Sequence, residues 1–351
     1  MSSPEVTLTV DGQVHRGWQE VSVTLSVERL SGQFDLTLTD AWSEGGKIIR
    51  RSIRPGSACA LALAGTTVVT GYVDKVAPSY DATSHRLSVS GRDRTGDLVD
   101  CSSDRQEFLK LDAGQIAALL CQPFGIPVTS RGDMGKPFGR YAVNIGDTFG
   151  RAIEEICRQR GLWAYADGQG GLVLTDRVGG IGPGIVLVKG SNILAGGAEL
   201  DWTDRFSHYI VKGSQEGADG MPADELAKWV GQASDNAVTR HRPRVTLHEL
   251  SSEGPGVQPR ADHEARVKAG RSARYRYEVQ GWTGQSGILR PGQSAHMGAY
   301  GDGWTGAASS QTYVISEVTL TRGAGGTTAD LTLMHPAAFD KLAEPTAGDS
   351  W

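Results

Sequence analysis

The 351-residue chain contains no apolar stretch long enough to cross a bilayer, since its longest run is Ala58 to Ala64 and a membrane helix needs about 20 such residues. No direct membrane insertion is therefore expected. The amino terminus runs straight from Met1-Ser2-Ser3-Pro4 into alternation at Glu5, without the basic and then apolar regions of a secretory signal. Synthesis in a reducing cytoplasm is expected. Cysteine is scarce: Cys59, Cys101, Cys121 and Cys157 lie far apart, with no C-x-x-C pair and no histidines at zinc-finger spacing. Reduced thiols, buried or incidental, are the main reading, and disulfides or a metal site the lesser ones. Aromatic residues make up only 7% of the chain. Charge of one sign is also missing, because 35 Lys and Arg against 40 Asp and Glu leave a net charge of −5. A chain without a basic field has little to hold nucleic acid tightly.

Glycine is abundant, at 47 residues. It has no strict triplet period, so it points to many tight turns between strands. From Glu5 to Asp93 the apolar residues alternate, with Val21, Val23, Leu25 and Val27 on one face and then Phe34, Leu36 and Leu38, as in half-buried strands. Further segments at Cys59 to Leu63, Val68 to Val76 and Arg86 to Ser90 bring the first hundred residues to about six strands, a small closed barrel or sandwich. After Asp100 the period changes. Asp112 is placed to cap a short helix with Ile116, Leu119 and Leu120 on its apolar face, ending before Gly125. Asp147 or Thr148 is placed to cap a second, with Phe149, Ala152, Ile153, Ile156 and Cys157 at helical spacing and Gly161 as terminator. Leu162 to Ala166 and Gly171 to Thr175 read as a hairpin around Asp167-Gly168.

Strand patterns resume at Gly184 to Lys189, Ala198 to Thr203 and His208 to Lys212, then give way to a polar stretch from Ser214 to Gly256, read as a surface excursion. Arg260 to Arg274 looks helical and basic, and strands return at Tyr275 to Trp282, Ser294 to Ala299, Thr312 to Thr321 and Asp330 to Met334. The β-rich parts echo each other. Ile53-Arg54-Pro55-Gly56 recurs as Leu289-Arg290-Pro291-Gly292, each opening a strand. Gly71 to Val76 matches Thr312 to Val318, and Arg86-Leu87-Ser88-Val89 matches Asp330-Leu331-Thr332-Leu333, in the same order. Proline sets φ and glycine permits positive φ, so Pro-Gly makes a defined corner. The repeat of Arg54, Pro55 and Gly56 by Arg290, Pro291 and Gly292 suggests one corner used twice.

The expected fold is mainly β with an α+β insertion: two similar antiparallel β-barrel domains from an internal duplication, plus a small α/β domain. Expected boundaries are 1–100 for the first barrel and 101–178 for the insertion. The second barrel takes 179–213 and 274–340, separated by a polar excursion with a basic helix at 214–273, and 341–351 is a polar tail.

Catalytic and ligand-binding patterns fail on context. Gly301 to Gly306 has the letters of G-x-G-x-x-G, but a strand follows where a dinucleotide site needs a helix. Gly132-Asp133-Met134-Gly135-Lys136 lacks phosphate-loop spacing and is followed by Pro137, so it reads as a turn. Glu154 and Glu155 are adjacent on a helix and point apart. His241, His248 and His263 show no two-ligand spacing on one helix. No catalytic residue, cofactor or metal is expected. The basic stretch from Arg240 to Arg276 reads mainly as a solvated or subunit-facing surface, with phosphate contact as the lesser reading. Trp18, Trp163, Trp202, Trp229, Trp282 and Trp304 read mostly as core or interface anchors rather than sugar platforms.

Several short strings carry a family resemblance. They are Ser90-Gly91-Arg92-Asp93-Arg94-Thr95-Gly96-Asp97-Leu98-Val99-Asp100-Cys101, Phe124-Gly125-Ile126-Pro127-Val128, Gly146-Asp147-Thr148, Gly161-Leu162-Trp163, and Gly281-Trp282 with Arg290-Pro291-Gly292. In these the chain resembles the baseplate hub proteins of Mu-like contractile phages, and more distantly the late control protein D family and the hub portion of type VI secretion spikes. The resemblance implies a structural protein of the virion tail baseplate, assembled in the host cytoplasm. It implies a homotrimer that joins a hexameric tail tube to a trimeric central spike and contacts other baseplate proteins. Two barrels in each of three chains make six near-equivalent units, so a trimer can match a six-fold ring. DNA would pass through the opening without tight binding. The chain ends soon after its second barrel, so the spike is expected to be a separate polypeptide. The rival expectations are a carbohydrate-binding tail module and a tail-associated lysozyme or peptidase.

Overall fold

A computed structural model of the chain describes residues 5–39, 42–44, 47–49, 53–82, 85–104, 106–214, 229–249, 256–298 and 311–344. The alternating amino-terminal segments form β1 (Val6–Val10), β2 (Gln13–His15), β3 (Glu20–Ser26), β4 (Gln33–Thr39), β5 (Trp42–Glu44), β6 (Lys47–Ile49), β7 (Ala58–Leu63), β8 (Thr66–Tyr80) and β9 (His85–Asp93). Their apolar positions bury at every second residue: Val21 and Val23, Phe34 and Leu36, and Leu61 and Leu63 face one core. Gly91 must be glycine because a Cβ there would lie 2.2 Å from the Tyr72 carbonyl and 2.7 Å from the Phe34 ring.

Past Asp93 the chain makes a short helix, α1 (Gly96–Asp100), and then β10 (Gln106–Leu111), α2 (Ala113–Cys121), β11 (Val128–Arg131), β12 (Phe138–Val143), α3 (Phe149–Arg160), β13 (Trp163–Ala166) and β14 (Leu172–Thr175). Asp112 caps α2 in a reciprocal box, accepting from Gln115 N at 2.9 Å while Gln115 Oε1 accepts from Asp112 N at 3.0 Å. Thr148 Oγ1 caps α3 by accepting from Arg151 N, and Gly161 ends it in the left-handed region at φ 69°. Phe149, Ala152, Ile153, Ile156 and Cys157 are all buried in a second core with Ile116 and Leu120. Leu119, expected on that face, is instead exposed. Ile116 and Leu120 already fill the contact four residues apart, and 119 falls beside it.

The remainder holds β15 (Pro183–Leu187), β16 (Ile193–Leu200), β17 (His208–Ser214), β18 (Val230–Ser234), β19 (Pro243–Glu249), α4 (Val257–Arg271), β20 (Ala273–Gln280), β21 (Thr283–Gly284), β22 (Gly287–Ile288), β23 (Ser294–Met297), β24 (Thr312–Gly323) and β25 (Gly326–Met334). Among the described residues the main sheet has thirteen strands, in the order β16-β20-β25-β24-β3-β4-β9-β8-β7-β1-β2, with β23 joining β24 to β15. The fold is thus mainly β, with several antiparallel sheets.

Two expectations change here. His208 to Lys212, read as part of the second barrel, is the centre of a separate three-stranded sheet, paired with β18 on one side and β19 on the other. The stretch read as a surface excursion contributes both partners. Their pattern was hard to see because β18 is poor in large apolar residues and β19 turns Val245 and Leu247 outward. Residues 215–228, 250–255, 299–310 and 345–351 lie outside the described set, and with them the Gly301 to Gly306 loop, Trp304 and all but the first four residues of the polar tail.

Helix α4 covers that small sheet with Val257 and Ala261. Its basic residues, read as a solvated or subunit-facing surface, in part hold the chain's own carboxyl-terminal segment. Arg266 pairs with Asp340 at 2.7 Å, Arg260 with Glu344 at 3.2 Å, and Arg271 Nε donates to Ala338 O at 3.0 Å. That segment also reaches the insertion. Trp163 Nε1 donates to Phe339 O at 2.7 Å, and Lys341 Nζ donates to Leu162 O and lies over the Trp163 ring.

Asp93, the last residue of β9, sits buried where the first set of strands meets the insertion, with Gly32 N donating to its Oδ2 at 2.9 Å. Burial, with the nearby Asp167 charge added, pushes its carboxyl up to about 7, against the pull of the Gly32 N–H and Arg290. Because the folded pKa lies above the unfolded 3.8, the contribution of this group to stability is fully present below pH 3.8 and is lost as pH rises through about 7. Asp93→Asn keeps an oxygen for Gly32 N. It is expected to flatten the urea-stability curve across this window and to exceed the parent at pH 8 by roughly 1–3 kcal/mol. Parallel curves for parent and variant would show that Asp93 is not the group responsible.

Candidate functional site

The two Arg-Pro-Gly corners adopt one geometry. Gly56 has φ 84° and Gly292 φ 82°, as the third residue of a type II turn requires after proline. Ser57 N donates to Arg54 O at 3.3 Å, and Gln293 N to Arg290 O at 3.4 Å. Each glycine also docks on a long strand: Gly56 N donates to Val73 O at 2.7 Å and Gly292 N to Ile315 O at 2.8 Å. The long strands answer alike, with Val73 N donating to Ser57 O and Ile315 N to Gln293 O, both at 3.0 Å.

The correspondence continues outward from these corners. β8 carries a bulge between Val73 and Lys75 where it pairs with β9, and β24 carries one between Ile315 and Glu317 where it pairs with β25. β9 then pairs with β4 and β4 with β3, as β25 pairs with β20 and β20 with β16. The order β3-β4-β9-β8-β7 therefore repeats as β16-β20-β25-β24-β23. Val73 faces Gly91 as Ile315 faces Leu333, so Ser88 to Gly91, rather than Arg86 to Val89, correspond to Asp330 to Leu333. The expected match was out by two residues, a slip that keeps every side chain on its face. The repeat stops at the ends, because β1 runs antiparallel to β7 whereas β15 runs parallel to β23.

The halves meet at a seam where β24 pairs antiparallel with β3, from Glu317 opposite Ser26 to Arg322 opposite Val21. One face of the seam buries Val318, Leu320, Val23 and Leu25. The other is polar: Thr24 Oγ1 and Thr319 Oγ1 lie 3.1 Å apart and Arg29 pairs with Glu317 at 3.3 Å. Arg322, in line with Val318 and Leu320 and opposite Val21, ends the apolar face by donating to Trp18 O.

The remaining candidates scatter. Glu154 is exposed and Glu155 half-buried beside the Tyr141 hydroxyl. Gly132 to Lys136 is a bend closed by Gly135 N on Asp133 Oδ1 at 2.9 Å. Cys59, Cys121 and Cys157 are free and buried, with thiols pushed up to about 12 by burial, and Cys101 is free and exposed. Trp18, Trp163 and Trp282 are buried, while Trp202 is exposed. Among the described residues, no three His, Cys, Asp or Glu side chains are grouped to hold a metal.

The two corner arginines are not equivalent. Arg54 is exposed, whereas Arg290 donates through Nη1 to Asp167 O at 3.0 Å and through Nη2 to Thr67 O at 2.6 Å. It thereby ties the second half to the insertion and to the first half, a role that no sequence pattern signals. Arg290→Met is expected to lower stability by about 1–3 kcal/mol, since two charged hydrogen bonds to carbonyls are lost. Arg54→Met should stay within about 0.5 kcal/mol of the parent. Urea unfolding of both variants compares them directly, and equal effects would contradict the assignment.

Residues 5–93 match the family described as Mu phage baseplate assembly protein GpP-like, N-terminal, and residues 95–176 match the second domain of baseplate hub protein gp44-like proteins. The chain is 32% identical over 296 residues to the baseplate hub protein gp44 of Escherichia phage Mu, covering 82% of this chain and 76% of that one. The crystal structure of the 43 kDa tail protein of prophage MuSo2 from Shewanella oneidensis is similar at TM-score 0.81 and 31% identity, over 96% of this chain and 99% of that one. A tail protein from Neisseria meningitidis MC58 shares the fold at TM-score 0.76 and 20% identity, over 97% and 99% of the two chains. A repeated strand order, two matching family models and a relative matched along most of both chains lead to one assignment: this protein belongs to the gp44-like family of phage baseplate hub proteins.

Proposed function

We propose that the chain assembles as a homotrimer whose two related halves form a ring of pseudo-six-fold symmetry, set between a hexameric tail tube and a separate trimeric spike. The observation that carries this reading is the repeat, in which two corners, two bulges and two five-strand orders recur within one chain. A trimer of such chains offers six similar units to one neighbour while its non-repeated parts keep three-fold symmetry toward another. In this reading each half is a barrel, the insertion and the small α4-covered sheet are the parts that occur three times, and the protein works in the virion after assembly in the host cytoplasm.

The reading assigns the chain no catalytic step and no cofactor. Its polar seam face carries mainly short hydroxyl side chains, Ser22, Thr24, Thr319 and Thr321, and the chain's net charge is −5. Both suit a channel wall that lets DNA slide past without holding its phosphates.

Sedimentation of the purified chain, alone and mixed with tube and spike proteins of the same particle, tests the reading. A trimer that recruits one trimeric spike is the expected outcome. A chain that stays monomeric in every mixture, or that is retained on a glycan column as a monomer, would overturn it in favour of a binding module.

A further inference from the structure

The seam between the halves leaves its own counterpart unfilled. β24 is paired on both sides along Glu317 to Arg322, with β25 on one and β3 on the other. Its equivalent in the first half is Lys75 to Tyr80 of β8. That segment pairs with β9 on one side, while on the other the pairing of β8 with β7 stops at Tyr72 opposite Ala58. The equivalent of β3 is β16, which ends the main sheet and pairs with β20, its outer edge meeting only an isolated bridge from Lys189 to Ile193. Among the described residues, one chain therefore presents, at two separate places, the two strand edges that the internal seam joins.

The repeat fixes which residues correspond. Val23 faces Phe34 and Ala198 faces Tyr275, with Phe34 opposite Gly91 and Tyr275 opposite Leu333, so β3 residues 22–26 correspond to 197–201. Lys75 corresponds to Glu317 across the bulge, so 75–80 correspond to 317–322. Transferring the seam register then sets Lys75 opposite Asp201, Val76 opposite Leu200, Ala77 opposite Glu199, Pro78 opposite Ala198, and Ser79 opposite Gly197.

The chemistry follows the transferred register. In the internal seam Val318 with Leu25 and Leu320 with Val23 are the buried pairs. Their counterparts, Val76 with Leu200 and Pro78 with Ala198, are all apolar, yet Leu200 is 61% exposed in the single chain. On the other face the seam's polar pairs have Lys75 with Asp201 as a counterpart, two opposite charges. Tyr80, 83% exposed, falls opposite Gly196, over which the Tyr277 ring already lies. Exposed edge strands are normally guarded by charge or cut short, but β16 offers Ala195-Gly196-Gly197-Ala198 with little guard.

We propose that β16 of one copy adds antiparallel to Lys75 to Tyr80 of β8 in the next copy, in this register, so that the occupant of each free edge is a second copy of this chain. The proposal rests on the trimeric reading above and gives it a joint. Three such joints alternate with three internal seams and close the ring. Val27 N donates to Ser316 O at 3.0 Å, which makes Ser26 opposite Glu317 a non-hydrogen-bonded pair and Leu320 opposite Val23 a hydrogen-bonded one. Pro78 occupies the latter kind of position without an N–H, so the joint between copies has one ladder bond fewer than the internal seam. A proline on the free edge also discourages pairing with other strands.

Cysteine cross-linking tests the register. Ala77 and Glu199 stand at the non-hydrogen-bonded position equivalent to Thr319 and Thr24, where Cα atoms lie about 4.5 Å apart, within disulfide reach. In a Cys101→Ser background, Ala77→Cys with Glu199→Cys is expected to give a covalent trimer on a denaturing gel after mild oxidation, lost on reduction. Ala77→Cys with Ala198→Cys, one residue out and on the opposite face, is expected to give none. Leu200→Asp is expected to abolish the trimer in sedimentation while the chain keeps its folded circular dichroism spectrum, with a melting midpoint lowered only by the lost association, since this side chain is exposed in the folded chain. A trimer in sedimentation without the in-register cross-link, or with equal cross-linking of the slipped pair, would overturn this joint and leave the trimeric reading intact. A chain that is monomeric at every concentration, alone and with tube and spike, overturns both.

Discussion

Backbone pairing between β24 and β3 joins residues about three hundred positions apart in sequence, and the rest of the molecule is arranged around it. Six consecutive pairs from Glu317 opposite Ser26 to Arg322 opposite Val21 merge two sets of strands into one sheet. The apolar side of that sheet buries residues from both halves in a single core. Once the halves share a sheet, the insertion between them has both of its chain ends held. Its hairpin is then gripped from the other side by the carboxyl-terminal segment at Phe339 and Lys341.

The repeated strand order explains why such a seam is available. Two copies of a five-strand order, laid edge to edge, must expose at their outer limits the same two kinds of edge that meet in the middle. Within one chain these two edges lie apart, and edges of these two kinds can meet only between copies. The differences between the copies are as informative as the likeness. Arg290 has been drawn into a bond with the insertion and with the first half while Arg54 faces solvent, and Gly91 makes room for the Phe34 ring where the second half has Leu333. Repeated units thus keep their backbone bonds, and their side chains diverge where each meets a different neighbour.

Much of this was legible in the residues. Alternation located the six longer strands of the first half but not the three-residue β2, β5 and β6; Asp112, the Asp147-Thr148 pair and Gly161 marked the helix ends, and the two Arg-Pro-Gly strings marked the corners. Local chemistry sets each of these, so local reading finds them. The offset of the repeat was not legible, because a period of two repeats itself after any shift of two residues; only the bulges at Asp74 and Ser316 set the alignment. The sheet of β17, β18 and β19 was hidden for a related reason. A small sheet covered by one helix needs few apolar residues, and Val245 and Leu247 point away from it.

By itself the sequence determined the β-rich class, the helix caps and the reuse of one corner, since these depend on φ preferences, side-chain alternation and hydrogen bonds that span a few residues. Only the tertiary structure decided that the two halves share one sheet, that Asp93 is buried with a raised pKa, and that, among the described residues, most of β16 and the far half of β8 remain as open edges. Pairing partners are chosen by edges brought together over long loops, and a desolvated carboxylate by what packs over it; neither leaves a mark in the order of residues nearby.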